Sequence, residues 1–423
     1  MGRYARAVWE SDAEGPTRRD RLGGVYHPYV PDFIANSEPS LSMDAARACE
    51  EAAVALSELD ARTRYMATAE SLSRILLRSE AISSSRIEGL EMNAQRLLEI
   101  EALDELGVGH RTDAVEAQVL ANLQAMQEGI EAAARSGFIA LEDLLRLHKE
   151  LLASSRMREY GGKLRQTQNW IGGSWYHPLS AAYVPPQPQL VPALMDDLVA
   201  FLNFSRLPAI ATAAVAHAQM ETIHPFADGN GRMGRAIVHM VLRRSGLCQH
   251  AVVPVSLVLA TEKPTYVSAL SDYRFDEDDP HELTMSEATS MWVEYFAHTL
   301  VRACGQARSF EERIGELRNS WQERVHPRAD SATRLLLDVL VGNPVVSIAS
   351  VVRLTGRSYP AARGAVRQLE GLGILVQSSK NRKSGLYVAR EVLDEFTRYE
   401  RSLATMSGDT RVEKPRRPVT QRR

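Results

Sequence analysis

Apolar residues recur at helical spacing through most of the stretch from Ser42 to Leu152, and this limits the chain to a mainly helical fold. Ser42 and Asp44 suit the start of a helix carrying Ala45, Ala52, Leu56 and Leu59. A second helical segment covers 64–82, and Gly89 is placed to end that region. Residues 92–153, rich in Ala, Leu and Glu, read as helix almost throughout, most clearly over 141–152. Residues 1–40 hold several prolines and glycines, including the Val30-Pro31 step, and read as irregular.

The helical pattern breaks between 160 and 186. Gly161-Gly162, Gly172-Gly173 and Pro185-Pro186 punctuate two strand-like runs, 164–171 and 181–184, so a β-hairpin is expected. Helical spacing returns after Val191 and again over 209–222, 236–242, 264–275 and 287–315. Residues 330–398 read as a separate module. Helices are expected over 332–341, 348–355 and 360–371, followed by strands at 374–377 and 386–388 around a polar loop. That order is the layout of a winged helix-turn-helix. Residues 407–423 are polar and basic, and disorder is expected there.

A chain of 423 residues calls for two or three domains. Its net charge of −3 excludes a polycation, so any nucleic-acid contact must come from a local patch. Cys49, Cys248 and Cys304 lie far apart without zinc-site spacing, which fits a reducing compartment. The charged N-terminus does not read as a signal peptide, and no run of 18 apolar residues occurs. A cytoplasmic protein without a membrane span is expected.

The chemistry concentrates in His224 to Arg235, H-P-F-A-D-G-N-G-R-M-G-R. Gly229, Asn230 and Gly231 precede a helix, where backbone N–H groups and the helix dipole favour phosphate. Arg232 and Arg235, three apart, share a face and can reach one polyphosphate. Asp228 suits a magnesium ion bridging phosphates. His224 is the side chain here whose ordinary pKa suits proton abstraction near neutrality. Taken singly, each part has an ordinary reading as a loop histidine, a turn or a solvated arginine pair. Together, at a helix start, they describe a phosphate-transfer site.

This segment resembles the Fic family signature, H-x-F-x-(D/E)-G-N-G-R-x-x-R, at every specified position: His224, Phe226, Asp228, Gly229, Asn230, Gly231, Arg232 and Arg235. The resemblance implies a protein adenylyltransferase using Mg²⁺ and ATP to modify a hydroxyl of a target protein and of itself. His224 would be the general base and Asp228 the metal ligand. Gly229, Asn230, Gly231, Arg232, Gly234 and Arg235 would bind the phosphates, and Phe226 would anchor the core. The expected hairpin resembles the family's target-binding flap, with Trp170, Ile171 and Tyr183 as contacts. Tyr266 and Tyr273 are candidates for the border of an adenine pocket, or else core residues.

Ser84, Glu88 and Gly89 fit the family's inhibitory motif, (S/T)-x-x-x-E-(G/N). The resemblance implies that Glu88 pairs with Arg235 and denies it to the γ-phosphate. The implied architecture has an N-terminal helical region with the inhibitory helix at 1–110 and a Fic catalytic domain with its flap at 111–320. A winged helix-turn-helix at 330–400 and a basic tail at 407–423 complete it. Other transfers remain open, of UMP, phosphocholine or phosphate, although the phosphate-transferring type has Lys where Gly231 stands. A DNA-binding regulator with a nucleotide-sensing Fic domain is the rival of another class. Arg363, Arg367, Lys380, Arg382 and Lys383 would then meet phosphates, or else serve a protein-interaction module. Relatives often pair, so a homodimer is a further expectation.

Overall fold

The computed structural model describes residues 2–11, 15–37, 39–65, 69–107, 111–276, 283–378 and 385–402. Fifteen α-helices and seven short strands lie among them. The strands are β1 (Arg3–Tyr4), β2 (Ala7–Trp9), β3 (Gly24–Tyr26), β4 (Tyr29–Val30), β5 (Val345–Ser347), β6 (Val376–Gln377) and β7 (Leu386–Val388). The first helices are α1 (Met43–Tyr65), α2 (Ala69–Ile87), α3 (Ala94–Glu105), α4 (Ala114–Arg135), α5 (Leu141–Leu152) and α6 (Val191–Phe204). Next come α7 (Ala209–Ile223), α8 (Asn230–Arg244), α9 (Val255–Thr261), α10 (Lys263–Asp272) and α11 (Met285–Val325). The last are α12 (Ala332–Leu340), α13 (Ile348–Thr355), α14 (Tyr359–Gly371) and α15 (Arg390–Ser402). None of the described helices is long and apolar enough to cross a membrane.

The chain forms two compact units, each assembled from three separated stretches: 1–54, 124–247 and 263–299 in the first, 55–123, 248–262 and 300–423 in the second. In the first, α7 is buried from Ile210 to Ile223 and α8 from Asn230 to Leu242. A helix buried on all faces must be apolar or have its polar groups satisfied. Small residues fill α7, Gln219 donates to the carbonyl of Asp32, and Thr222 caps the carbonyl of Ala218. α5 turns Leu144, Leu147, Leu151 and Leu152 inward. Each such side chain contributes roughly 2 kcal/mol through burial.

The N-terminal stretch expected to be irregular holds two small antiparallel sheets, β1 with β4 and β2 with β3. Strands of two or three residues are too short to leave a periodic signal. The expected hairpin is reduced to one antiparallel bridge, Ile171 with Tyr183. Left-handed Gly172 and Gly173 and a 3-10 turn at Pro178–Ser180 take up the rest.

In the second unit, α12, α13 and α14 precede a sheet of order β5-β7-β6. Ser331 and Ser347 cap α12 and α13, and left-handed Gly356 turns the chain toward α14. This is the expected helix, helix, helix, hairpin order, with β5 added between the first two helices. The module was read as separate. Its sheet residues Val345, Leu386 and Val388 instead share a core with Leu98, Ala102 and Leu103 of α3. The polar loop with Lys380, Arg382 and Lys383 and the 407–423 tail lie outside the described residues.

Candidate active site

His224 follows the last residue of α7 and adopts a left-handed backbone, φ 49° and ψ 56°. Such a conformation is uncommon for a side-chain-bearing residue and persists only where neighbours fix it. They do so here. The His224 N–H donates to the Met220 carbonyl at 3.0 Å. Its carbonyl accepts from Arg165 Nε at 2.9 Å and from Asn169 Nδ2 at 3.4 Å. Arg165 also donates to the carbonyls of Pro186, Ile223 and Thr167, so one buried guanidinium ties the flap segment to the end of α7. Burial lowers its pKa to about 10.

The loop from Phe226 to Asn230 closes on itself. Asn230 accepts from the Phe226 N–H at 2.8 Å and donates to the Phe226 carbonyl at 2.9 Å. Its side chain therefore shapes the loop and faces inward. Phe226 is fully buried and stacks on His148, with centroids 3.7 Å apart. His148 accepts from the Gly162 N–H at 3.0 Å, which makes Nε2 its donor toward the Asp228 carbonyl, also at 3.0 Å. Desolvation pushes its pKa down to about 4, so it stays neutral in that tautomer. His148, Arg165 and Asn169 escaped sequence reading because a lone polar residue in a helix or loop carries no periodic signal.

Gly229, at φ 81°, opens α8. A Cβ there would meet Leu151 at 3.0 Å, so both backbone shape and space require glycine. The first turn of α8 then presents N–H groups that no carbonyl of the helix can satisfy. Arg232 in this turn and Arg235 in the next are both nearly fully buried. Asp228 accepts from the Gly229 N–H at 2.7 Å, and its second oxygen lies 3.4 Å from Arg232. Among the described residues no cluster of three or more His, Cys, Asp or Glu side chains forms a metal site. A half-exposed single carboxylate beside an anion loop instead suits a magnesium ion that arrives with phosphates as its other ligands.

Other expected residues take different places. Gly234 packs where α7 meets α8: a Cβ would fall 2.8 Å from His217 Nδ1, so this glycine serves the close approach of the two helices. Tyr183 joins the bridge by its backbone, while its buried hydroxyl donates to the Thr222 carbonyl at 2.6 Å and Arg274 covers its ring. Its side chain is therefore no target contact. Ile171 is exposed, and Trp170 is half-buried against Trp9, with its N–H donated to Ser174. Tyr266 and Tyr273 are buried around Trp292, so both take the core place that the sequence left as the alternative, and Tyr273 also lines a cavity with Tyr29, Gln219 and Phe275. Ser84, Glu88 and Gly89 belong to the other unit: Ser84 is buried on α2, and Glu88 and left-handed Gly89 are exposed beyond its end.

A helical core with a glycine-opened anion loop and an adjoining imidazole defines the class. Residues 138–242 match the model of the Fic/DOC family, and residues 46–131 match that of the Fic/DOC family N-terminal region. The chain is similar to protein adenylyltransferase fic-1 of Caenorhabditis briggsae, 31% identical over 139 residues, covering 32% of this chain and 25% of that one. Similarity to protein adenylyltransferase Fic of Culex quinquefasciatus reaches 35% over 115 residues, 26% of this chain and 21% of that one. The chain thus spans about a quarter of the length of these relatives. A solved Fic family protein from Desulfovibrio desulfuricans G20 shares the fold at 21% identity and TM-score 0.50, over 83% of this chain and 98% of that one.

Proposed function

We propose that this chain transfers AMP from ATP to a hydroxyl of a protein. One observation carries the reading: the left-handed turn at His224 comes just before the Gly229 opening of α8, whose first two turns bear the buried Arg232 and Arg235. The target's oxygen attacks the α-phosphorus, the bond to the β-phosphate breaks, and pyrophosphate leaves. His224 takes the hydroxyl proton. The backbone of Gly229 to Gly231, with Arg232 and Arg235, meets the phosphates. Magnesium held by Asp228 would neutralise phosphate charge. The matched relatives, both adenylyltransferases by name, support the nucleotide and the protein target.

Incubation with Mg-ATP labelled at the α-phosphate tests this. Label should enter protein and disappear with His224→Ala. Label independent of His224 would refute the assignment. Labelled UTP in parallel separates the two nucleotides.

The inhibitory role of Ser84, Glu88 and Gly89 is part of the same proposal. Glu88→Gly should raise self-labelling at least tenfold, and equal labelling of the two chains would remove the brake. A second reading has its own observation. Arg363 and Arg367 lie exposed on α14, the third helix of the C-terminal module. In a winged helix-turn-helix, that helix enters the major groove of DNA. Retention of DNA that weakens on Arg363→Ala and with rising salt would support it, and absence of retention at low salt would end it.

A further inference from the structure

We infer that Glu221 is a positioning residue for the base: its carboxylate, set by Tyr266, orients the His224 imidazole and holds Arg235 beside it. This rests on the transfer reading and deepens it.

Glu221 sits one turn before His224 on α7 and is nearly buried. Its Oε2 lies 3.9 Å from His224 Nδ1, and its Oε1 lies 3.8 Å from Arg235 Nη1. A single carboxylate therefore faces both the base and the second phosphate arginine. Buried carboxylates need oriented donors, and one is present. The Tyr266 hydroxyl on α10 points its hydrogen at Glu221 Oε1, 3.5 Å away. The same hydroxyl lies 2.8 Å from His217 Nε2. His217 is buried within α7 and stacks parallel to the Tyr266 ring. Desolvation, then Arg235, lowers its pKa to about 3, so it stays neutral beside the hydroxyl. The order His217, Tyr266, Glu221, His224 is the logic by which a buried acid fixes the tautomer of a catalytic imidazole.

The consequence is directional. A carboxylate at Nδ1 favours a hydrogen on that nitrogen and leaves Nε2 to take the proton of the incoming hydroxyl. As the imidazole becomes cationic, the carboxylate stabilises it. Charged groups from neighbouring elements also face the pair. Arg235 comes from α8. Arg274, after α10, donates to the Glu221 carbonyl, and Arg165 from the flap segment donates to the His224 carbonyl. All three are cations, so Glu221 is the counterweight that keeps a protonated His224 tolerable. Together with the left-handed backbone, it leaves the ring little freedom.

The test uses the full-length Glu88→Gly chain as parent and compares it with the same chain carrying Glu221→Gln or Tyr266→Phe. Label transfer is followed against pH and ATP concentration, and the His224 imidazole is titrated by NMR. Glu221→Gln should slow transfer roughly ten- to a hundredfold through kcat. It should move the acidic limb of the profile, and the His224 titration, down by about one pH unit. Tyr266→Phe should move both in the same direction by less, and Glu221→Asp should restore part of the rate. An unmoved limb with His224 titrating as in the parent overturns the inference. Should Glu221→Gln fail to fold, Tyr266→Phe decides by the same two readings. No label in the parent overturns the transfer reading, and this inference with it.

Discussion

Gly229 and Asn230 show how narrowly single residues shape the loop. Alanine at 229 must adopt φ 81° and press its Cβ against Leu151. The cost is about 1–3 kcal/mol, and labelling should fall with it, as a paired denaturation and labelling assay would show. Asn230→Ala takes the side-chain acceptor from the buried Phe226 N–H, while the Phe226 carbonyl keeps Asn169 Nδ2 at 3.1 Å. A loss of about 2 kcal/mol in urea unfolding is expected, and a loss under about 0.5 would mean that water or another group replaces the amide. His148 gives a pH prediction. Its pKa is near 4 in the folded chain against an ordinary 6.5, so the unfolded chain binds the proton first as pH falls. Its contribution is therefore constant above about pH 6.5 and is lost as pH falls toward 4. The thermal midpoint should drop across that window while the His148 ring stays neutral by NMR at pH 5. A His148 signal titrating near 6.5 would contradict the burial. The loop motif was legible in sequence because glycines, a histidine and paired arginines stand together at a helix start. Its supports, His148, Arg165, Tyr266 and Glu221, come from distant segments, and only the fold brings them near.

At the scale of elements, α2 links the Ser84–Gly89 motif to the C-terminal module. Left-handed Gly89 ends the helix, and the Leu90 N–H returns to the Ser85 carbonyl. Nothing crowds the Gly89 Cβ position, so Gly89→Ala should cost about 1 kcal/mol through backbone conformation alone. Arg78 pairs with Glu101 and donates to the Gly342 carbonyl, and Arg86 lies 3.4 Å from Glu400 of α15. Burial raises the Glu400 pKa, while Arg86 opposes that shift. Arg86→Ala should therefore destabilise the chain by about 1 kcal/mol, the partly exposed arginine limiting the effect. A change within experimental error would make the pair incidental. α15 is absent from the sequence expectations although Val392, Leu393, Phe396 and Tyr399 recur at helical spacing among charges and form its buried face. α9, seven residues long, is too short for a periodic signal. The flap failed as a hairpin for a chemical reason. Gly172 and Gly173 both take positive φ, and Pro178 starts a 3-10 turn, so pairing stops after one bridge.

For the whole molecule, the mainly helical class followed from periodicity, which is clear in α5 with its one buried face and faint in α7, which is buried all round. The compact units did not follow from it, since each is drawn from three separated stretches and no composition change marks their limits. Chemistry and the proposed control occupy different units, with His224 and its loop in one and Glu88 in the other. The account is tested most directly by the intact mass of the Glu88→Gly chain after incubation with Mg-ATP, set against the pyrophosphate released. It predicts a gain of one adenylyl group for each pyrophosphate, and none when His224→Ala is added. A gain of phosphate alone, or the same gain without His224, would contradict it.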